Sequence, residues 1–177
     1  MKEFPLIETE RLILSQLKED DIPFVVEYLQ EKAFSELTSN IPYPYTKDDA
    51  EFWLRISQEA FEKRSGYTFA IRNKEGNIIG AIGLHDRGDD KAELGYWMGK
   101  PFWNNGYVTE AANAIVNFGF KVLNFNKIYA THFLHNPSSG RIMQKIGMEK
   151  EAILKQHIKK NEEYFDVPLY SIFRNRD

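Results

Sequence analysis

The sequence predicts an α+β fold in which a central, mostly antiparallel twisted sheet of about seven strands carries four packed helices. Short segments of alternating apolar residues follow one another through the middle of the chain, joined by glycine-containing turns. Helical apolar spacing occurs in two segments before them and in a longer segment after them. The predicted order is β-α-α-β-β-β-α-β-α-β-β, which we assign to a single domain over residues 1–177.

Composition and charge restrict the class of protein. The 177 residues are 42% apolar, enough for a substantial core, and the net charge of -3 does not favour a direct nucleic-acid binder. The absence of cysteine excludes disulfides, thiolate chemistry and cysteine-based zinc sites. The charged N-terminus lacks the apolar run of a signal peptide, and no window has the length of a membrane span. We therefore expect a cytoplasmic protein with no membrane and no direct nucleic-acid partner.

The N-terminal part of the chain predicts one strand and two helices. Residues 11–17 form an apolar run typical of a strand, and the apolar residues of 22–29 recur at i, i+3, i+4 and i+7, which indicates a helix. Thr46 and Asp49 have the spacing of a capping box, so a second helix is predicted to begin there. We expect it to end near residues 65–66.

Three successive strands predict an antiparallel meander in the centre. Residues 67–72 alternate, residues 78–84 are mostly apolar as expected of a strand buried on both faces, and residues 93–98 alternate again. Gly76 and Gly88 lie in the two connections, where glycine allows positive φ.

The third strand of the meander leads into the longest predicted helix through a turn that contains Gly106. From Val108 onward the apolar spacing becomes helical. The N–H groups of a first helical turn have no partner within the helix, and the helix dipole adds positive potential there. We therefore predict an anion-binding turn at residues 103–109.

The C-terminal part predicts a strand, a short helix and two final strands. The strand covers residues 127–134. Asn136 and Pro137 have the spacing of a helix cap and first position, and Gly147 is suited to end that helix. Residues 149–160 and 164–173 then indicate two strands joined by a turn.

Taken in order, these segments resemble the GNAT superfamily of acyl-CoA-dependent N-acetyltransferases, and most of all its Rim-type branch of ribosomal-protein N-terminal acetyltransferases. The resemblance covers nearly the whole chain. It rests on residues 10–14 (ERLIL), 93–97 (ELGYW), 103–111 (WNNGYVTEA) and 136–148 (NPSSGRIMQKIGM). Each segment alone is weakly specific, whereas the four together at this spacing are strongly so.

The resemblance implies acetyl-CoA as co-substrate and no metal. In the family, the glycine turn holds the CoA pyrophosphate through backbone amides, and the preceding strand pairs with the pantetheine arm. Trp103 stands where Gln or Arg is usual and Val108 where a small residue is usual, which removes a cationic partner for phosphate. The implied cofactor-binding residues are Trp97, Met98, Gly99, Asn104, Asn105, Gly106, Tyr107, Val108, Thr109, Asn136 and Ser139.

Transfer to an amine requires a base, because an ammonium group has no lone pair. Glu93 is the first candidate base, with a solvated charge on a strand edge as the alternative interpretation. His157 is the second candidate and His85 the third. Ser139 is the candidate donor of a proton to the leaving CoA thiolate, a role that a tyrosine could also fill. Backbone N–H groups of residues 97–99 would stabilise the oxyanion.

The acceptor implied by the resemblance is a primary amine, in particular the N-terminal α-amino group of a protein such as a ribosomal protein. Tyr43, Tyr45 and His85 are the candidate acceptor-binding residues. Two alternatives stay open: an acetyltransferase for a small amine such as an antibiotic, polyamine or metabolite, and a non-catalytic acyl-CoA-binding protein. A monomer or a homodimer is expected.

Overall fold

The computed structural model describes residues 3–175, and this part of the chain forms one eight-stranded sheet with five α-helices. The strands are β1 (Ile7–Glu8), β2 (Ile13–Gln16), β3 (Gly66–Arg72), β4 (Ile78–Asp86), β5 (Lys91–Met98), β6 (Lys127–Thr131), β7 (Glu149–Lys160) and β8 (Glu163–Phe173). The helices are α1 (Ile22–Leu29), α2 (Lys32–Leu37), α3 (Lys47–Glu62), α4 (Tyr107–Lys121) and α5 (Pro137–Lys145). The predicted α+β class is confirmed, with β1 and α2 as additional short elements.

The sheet has one parallel pair, and that pair positions the site. The strand order is β1-β2-β3-β4-β5-β6-β8-β7, and only β5 and β6 run parallel among the described strands. Their pairing covers Lys91 to Glu93 on β5 and Lys127 to Tyr129 on β6. Since β5 continues to Met98, the two strands separate at their carboxyl ends, the usual place for a ligand crevice in such sheets.

The two faces of the sheet carry different helices. On one face α4 buries Ala111 and Ile115 in a core cluster to which α5 contributes Met143. Gly119 allows the close approach of α4, because a Cβ there would lie 2.7 Å from side-chain atoms of both Ile128 and Leu84. The other face is covered by α1, α2 and α3 over a second cluster. No helix within residues 3–175 is both long and apolar enough to cross a membrane.

Several predicted strand and helix ends differ from the structure. The first long strand covers Ile13–Gln16 rather than residues 11–17. The strand predicted over residues 127–134 ends at Thr131, because a turn closed by Asn136 N–H donating to Phe133 O at 2.9 Å follows it. Likewise α3 ends at Glu62, four residues before β3 begins.

The predicted caps are confirmed. Thr46 Oγ1 accepts from Asp49 N–H at 3.3 Å while Asp49 Oδ2 accepts from Thr46 N–H at 2.8 Å, which is the reciprocal capping box at the start of α3. At the end of α5, Gly147 has φ of 84°. Its N–H bonds to Gln144 O and that of Met148 to Met143 O, each at 3.0 Å. This pair of bonds satisfies carbonyls that a helix end otherwise leaves open.

Candidate active site

A cavity of about 840 Å³ lies at the gap between β5 and β6. It is lined by the end of α2 and the loop after it, the ends of β4 and β5, the turn before α4, the segment after β6, and the start of α5. Elements from both faces of the sheet therefore contribute to one continuous space. This arrangement allows two ligands to approach the gap from opposite faces.

The turn that leads into α4 has the geometry of an anion site. Gly106 has φ of 78°, a left-handed conformation that favours glycine. The first intrahelical bond of α4 runs from Glu110 N–H to Gly106 O at 3.0 Å, so the N–H groups of residues 107–109 precede it and can bind a ligand. Asn104, Gly106 and residues 107–109, which the sequence analysis assigned to cofactor binding, line the cavity.

Cations lie near this turn although position 103 carries no cationic side chain. Arg141 and Lys145 on α5 line the cavity. Outside it, the Arg11 guanidinium donates to Asn105 O at 3.0 Å and to the Glu110 carboxylate at 2.7 Å. Asn105 is not among the lining residues. Its carbonyl is therefore a contact that holds the turn, whereas Arg141 and Lys145 are cations that line the cavity itself.

The three predicted pantetheine-binding residues at the end of β5 are not equivalent. Gly99 N–H donates to Ile79 O at 2.8 Å, and Gly99 does not line the cavity. Because backbone groups alternate sides along a strand, the N–H of Trp97 also points to β4, whereas that of Met98 points to the gap. Trp97 and Met98 both line the cavity, and Met98 O accepts from Trp103 Nε1 at 2.6 Å. Of the three residues, Met98 therefore directs its N–H toward the gap.

Asn136 caps α5 and also contacts α2 across the gap. Its Oδ1 accepts from Ser139 N–H at 3.3 Å, and its Nδ2 donates to Leu37 O at 3.2 Å. Asn136 and Ser139 both line the cavity. The cap thus fixes the position of Ser139 in the first turn of α5.

Tyr96 is a site residue that the sequence analysis did not identify. Its hydroxyl lies 2.8 Å from Ser139 Oγ and also donates to Ser139 O at 3.1 Å. Burial raises the pKa of Tyr96 to about 12, more than the hydrogen bond from Ser139 lowers it. The phenol therefore keeps its proton at neutral pH and can share it with Ser139. The two residues are 43 positions apart, and the sequence holds no signal that joins them.

Glu93 and His85 are cross-strand neighbours on β5 and β4, and both line the cavity. Glu93 Oε2 accepts from Arg87 Nε at 2.9 Å and from Arg87 Nη2 at 2.7 Å. Burial lowers the pKa of His85, the Arg87 charge lowers it further, and the Glu93 charge raises it. His85 is therefore neutral at pH 7, with a lone pair available on its ring.

Besides Gly99 and Asn105, three more predicted site residues lie outside the cavity. His157 is exposed on β7, which is one of the two edge strands of the described sheet. Tyr43 is 55% exposed in the loop before α3, and Tyr45 is buried in the cluster beneath α1 and α3. None of the three lines the cavity. The loop turns its buried tyrosine into the core, so the wall that it was expected to form comes from the segment before it.

That wall is formed by α2 and the residues that follow it. Phe34 and residues 37–40 line the cavity. The Phe34 ring packs edge-to-face on Trp97 and Trp103, with centroid distances of 6.4 and 5.9 Å. The sequence analysis missed α2 because six residues are too few to show helical periodicity.

Within residues 3–175, no group of three or more His, Asp or Glu side chains is placed to hold a metal ion. The cavity instead presents backbone amides, cationic side chains and neutral polar groups to a ligand. These comprise an anion turn, a hydroxyl pair and a base on separate walls.

Residues 11–149 match the protein family described as "Acetyltransferase (GNAT) domain". Relatives from Bacillus subtilis include YoaA, an uncharacterized N-acetyltransferase that is 27% identical over 98% of this chain and 99% of its own length. YnaD, also an uncharacterized N-acetyltransferase, is 32% identical over 94% of this chain and 95% of its own length. The [Ribosomal protein uS5]-alanine N-acetyltransferase of Escherichia coli is 24% identical over 86% of this chain and 82% of its own length.

Solved structures share the fold. An acetyltransferase (GNAT family) from Bacillus anthracis has a TM-score of 0.85 at 27% identity, covering 96% of this chain and 98% of its own. RimL, a ribosomal alpha-N-protein acetyltransferase in complex with coenzyme A, has a TM-score of 0.86 at 16% identity, covering 96% of this chain and 98% of its own. Spermidine N-acetyltransferase from Vibrio cholerae, in complex with coenzyme A and spermine, has a TM-score of 0.79 at 20% identity, covering 93% of this chain and 96% of its own.

Proposed function

The chain belongs to the GNAT acetyltransferase family and is an acetyl-CoA-dependent N-acetyltransferase, and we propose that its acceptor is the α-amino group of a peptide or protein N-terminus. The observation that carries this proposal is the charge of the cavity. Among the described residues that line it, Glu93 is the one carboxylate, and Arg87 neutralises it, whereas Arg141 and Lys145 are cationic. A polyamine carries several ammonium groups, which pair favourably with carboxylates, whereas an α-amine carries a single charge.

The ionisation of the acceptor supports the same choice. An α-amino group has a pKa of ~8, whereas a lysine side chain or a similar alkylamine has a pKa of about 10.4. A larger fraction of the α-amine is therefore neutral at pH 7, and a weak base suffices for the rest. The E. coli relative named as an alanine N-acetyltransferase fits this substrate class.

We assign the two ligands to opposite faces of the sheet. The anion turn at residues 104–109 lies on the face of α4 and α5, so the CoA diphosphate enters there, close to Arg141 and Lys145. The acceptor enters from the face of α1, α2 and α3. The thioester then lies in the gap, where the N–H of Met98 can bind the oxyanion.

The alternation of β5 separates the base from the acid. Tyr96 and Met98 pack with the α4-face cluster, so Glu93, Gly95 and Trp97 project to the acceptor face. We assign removal of the amine proton to His85, beside Glu93, which raises the pKa of the ring. The proton is thus removed on the face from which the acceptor enters.

On the cofactor face, Ser139 donates a proton to the leaving thiolate and receives one from Tyr96. In the complete step His85 takes the ammonium proton and passes it to solvent, and the neutral amine nitrogen then forms the new bond to the acetyl carbon. The carbon–sulfur bond breaks as Ser139 protonates the thiolate, and His85 takes the second proton that the nitrogen loses on becoming an amide. Solvent then restores both groups. No covalent enzyme intermediate is required.

The test is thiol release from acetyl-CoA with a panel of acceptors. It compares a peptide with a free N-terminal alanine or serine, the same peptide with a blocked N-terminus and an internal lysine, and spermidine. We expect turnover with the free peptides and little with the other two. Faster turnover with spermidine than with every free peptide would overturn the acceptor assignment and support the small-amine alternative.

A further inference from the structure

The carbonyl groups at the C-terminal end of α2 are all engaged by side chains from other parts of the chain. His135 Nε2 lies 2.8 Å from Glu36 O, and Asn136 Nδ2 donates to Leu37 O at 3.2 Å. Lys160 Nζ donates to Ser35 O and to Thr38 O, the latter at 2.6 Å. Four consecutive carbonyls, from residue 35 to residue 38, therefore receive donors from the segment after β6 and from β7.

Lys160 is the donor that comes from farthest along the chain. It lies 125 positions from Ser35 and 122 from Thr38, at the end of β7 where the β7–β8 hairpin turns. Burial lowers the pKa of its ammonium group. A lysine side chain that is partly buried against two carbonyls gives up hydration and rotamer freedom, so this contact fixes one geometry.

The segment held in this way is the acceptor-side wall of the cavity. Phe34 and residues 37–40 line the cavity on the face of α1, α2 and α3. A helix of six residues is too short to hold its own position, because isolated short helices are marginal in water. Its placement over the gap therefore depends on contacts such as the aromatic packing of Phe34 and the donors to its carbonyls.

We propose that Lys160 is a positioning residue that holds residues 34–40 against the acceptor and so sets the affinity for the acceptor rather than for acetyl-CoA. Lys160 does not line the cavity and touches no reacting group. It acts through the carbonyls of Ser35 and Thr38. The assignment of acceptor and cofactor faces is taken from the proposed function, but the role of Lys160 does not depend on which amine is the acceptor.

The experiment compares Lys160→Met with Lys159→Met and Lys160→Arg. Methionine has a side chain of similar length to lysine but lacks the ammonium N–H donors. Lys159 is the matched control, since it is a neighbouring lysine whose ion pair with Glu162 at 2.8 Å lies within the hairpin. Arginine restores a cationic donor. Steady-state kinetics use as acceptor the amine of the panel above that is turned over fastest. In parallel, hydrogen–deuterium exchange of residues 34–40 is measured with acetyl-CoA bound.

We expect Lys160→Met to raise the acceptor KM about tenfold, because small displacements of a substrate wall have large kinetic effects. The KM for acetyl-CoA should stay within twofold, exchange in residues 34–40 should speed up, and Lys160→Arg should recover most of the acceptor KM. An unchanged acceptor KM would overturn the proposal, as would an equal rise in both KM values or an effect of Lys159→Met of the same size. If no amine of the panel is turned over, the proposed function fails, and unchanged exchange would overturn the role of Lys160 separately.

Discussion

The Tyr96 hydroxyl lies 2.8 Å from Ser139 Oγ, and this contact joins β5 to the first turn of α5 beside the gap in the sheet. Neither residue needs the other for its place in the fold, because Tyr96 is held by the strand and Ser139 by the cap at Asn136. Their contact therefore brings a high-pKa phenol and a serine together on the face assigned to the leaving thiolate.

The first prediction concerns this pair. Ser139→Ala should lower kcat about 10²-fold, since general acid catalysis contributes factors of this order, and leave the KM for acetyl-CoA nearly unchanged. Tyr96→Phe should lower kcat less, because water can replace the phenol as proton source. Steady-state kinetics of both variants and the double variant provide the measurement. If the two residues act as one unit, the double variant should be no slower than Ser139→Ala, and additive losses would contradict the shared role.

The second prediction concerns the base and its pH dependence. A base must be unprotonated, so kcat/KM should fall as the pH drops through the His85 pKa, which lies below the ordinary value of 6.5 because of burial and the Arg87 charge. Glu93 raises this pKa, and Glu93→Gln should therefore shift the acid limb of the profile to lower pH. His85→Gln should abolish the limb and lower kcat/KM about 10²-fold.

Profiles of kcat/KM from pH 5 to 9 decide whether His85 or Glu93 is the base. Arg87→Lys serves as the control, since it keeps the positive charge but loses the two-nitrogen contact with Glu93. A limb that disappears in Glu93→Gln and persists in His85→Gln would identify the carboxylate as the base.

The third prediction tests the anion turn. Gly106→Val should abolish measurable acetyl-CoA binding, because valine is strained at φ of 78° and the N–H groups after it would lose their arrangement. Gly76→Val is the matched control, since Gly76 has a similar φ of 87° in the β3–β4 turn away from the cavity. Calorimetric titration with acetyl-CoA should show binding in the control. Undiminished binding by the Gly106 variant would rule out the turn.

The fourth prediction concerns the floor of the acceptor side. Gly95 is exposed between Glu93 and Trp97, and an added Cβ would meet no atom within 4 Å. Gly95→Ala should therefore fold normally and raise the acceptor KM about tenfold through lost space at the gap. Kinetics with both substrates and a thermal melt provide the measurement. A rise in the KM for acetyl-CoA instead would assign this space to the acyl group.

Local signals in the sequence predicted much of the fold and part of the site. The capping box at Thr46, the glycine at position 147 and the change of period at Val108 each reflect interactions within a few residues, and the structure confirms the elements that they delimit. The turn around Gly106 was predicted for the same reason, because a strand, a glycine and a helix in succession define it.

The remaining features depend on contacts between distant residues. The Tyr96–Ser139 bond and the bonds of Lys160 to α2 join positions separated by 43 and more than 100 residues, and single-sequence patterns do not encode such pairs. The same limit explains Tyr45 and His157. Tyr45 was predicted to bind the acceptor and His157 to act as a base, but packing buries Tyr45 in the core and the edge position of β7 exposes His157.

The central claim is that this cavity transfers an acetyl group to an α-amine. The most direct measurement is mass spectrometry of a peptide with a free N-terminal alanine and an internal lysine after incubation with acetyl-CoA and the enzyme. The account predicts a single added acetyl group, localised by fragmentation to the α-nitrogen, and none with Gly106→Val. Acetylation of the lysine alone, or equal product with the variant, would contradict it.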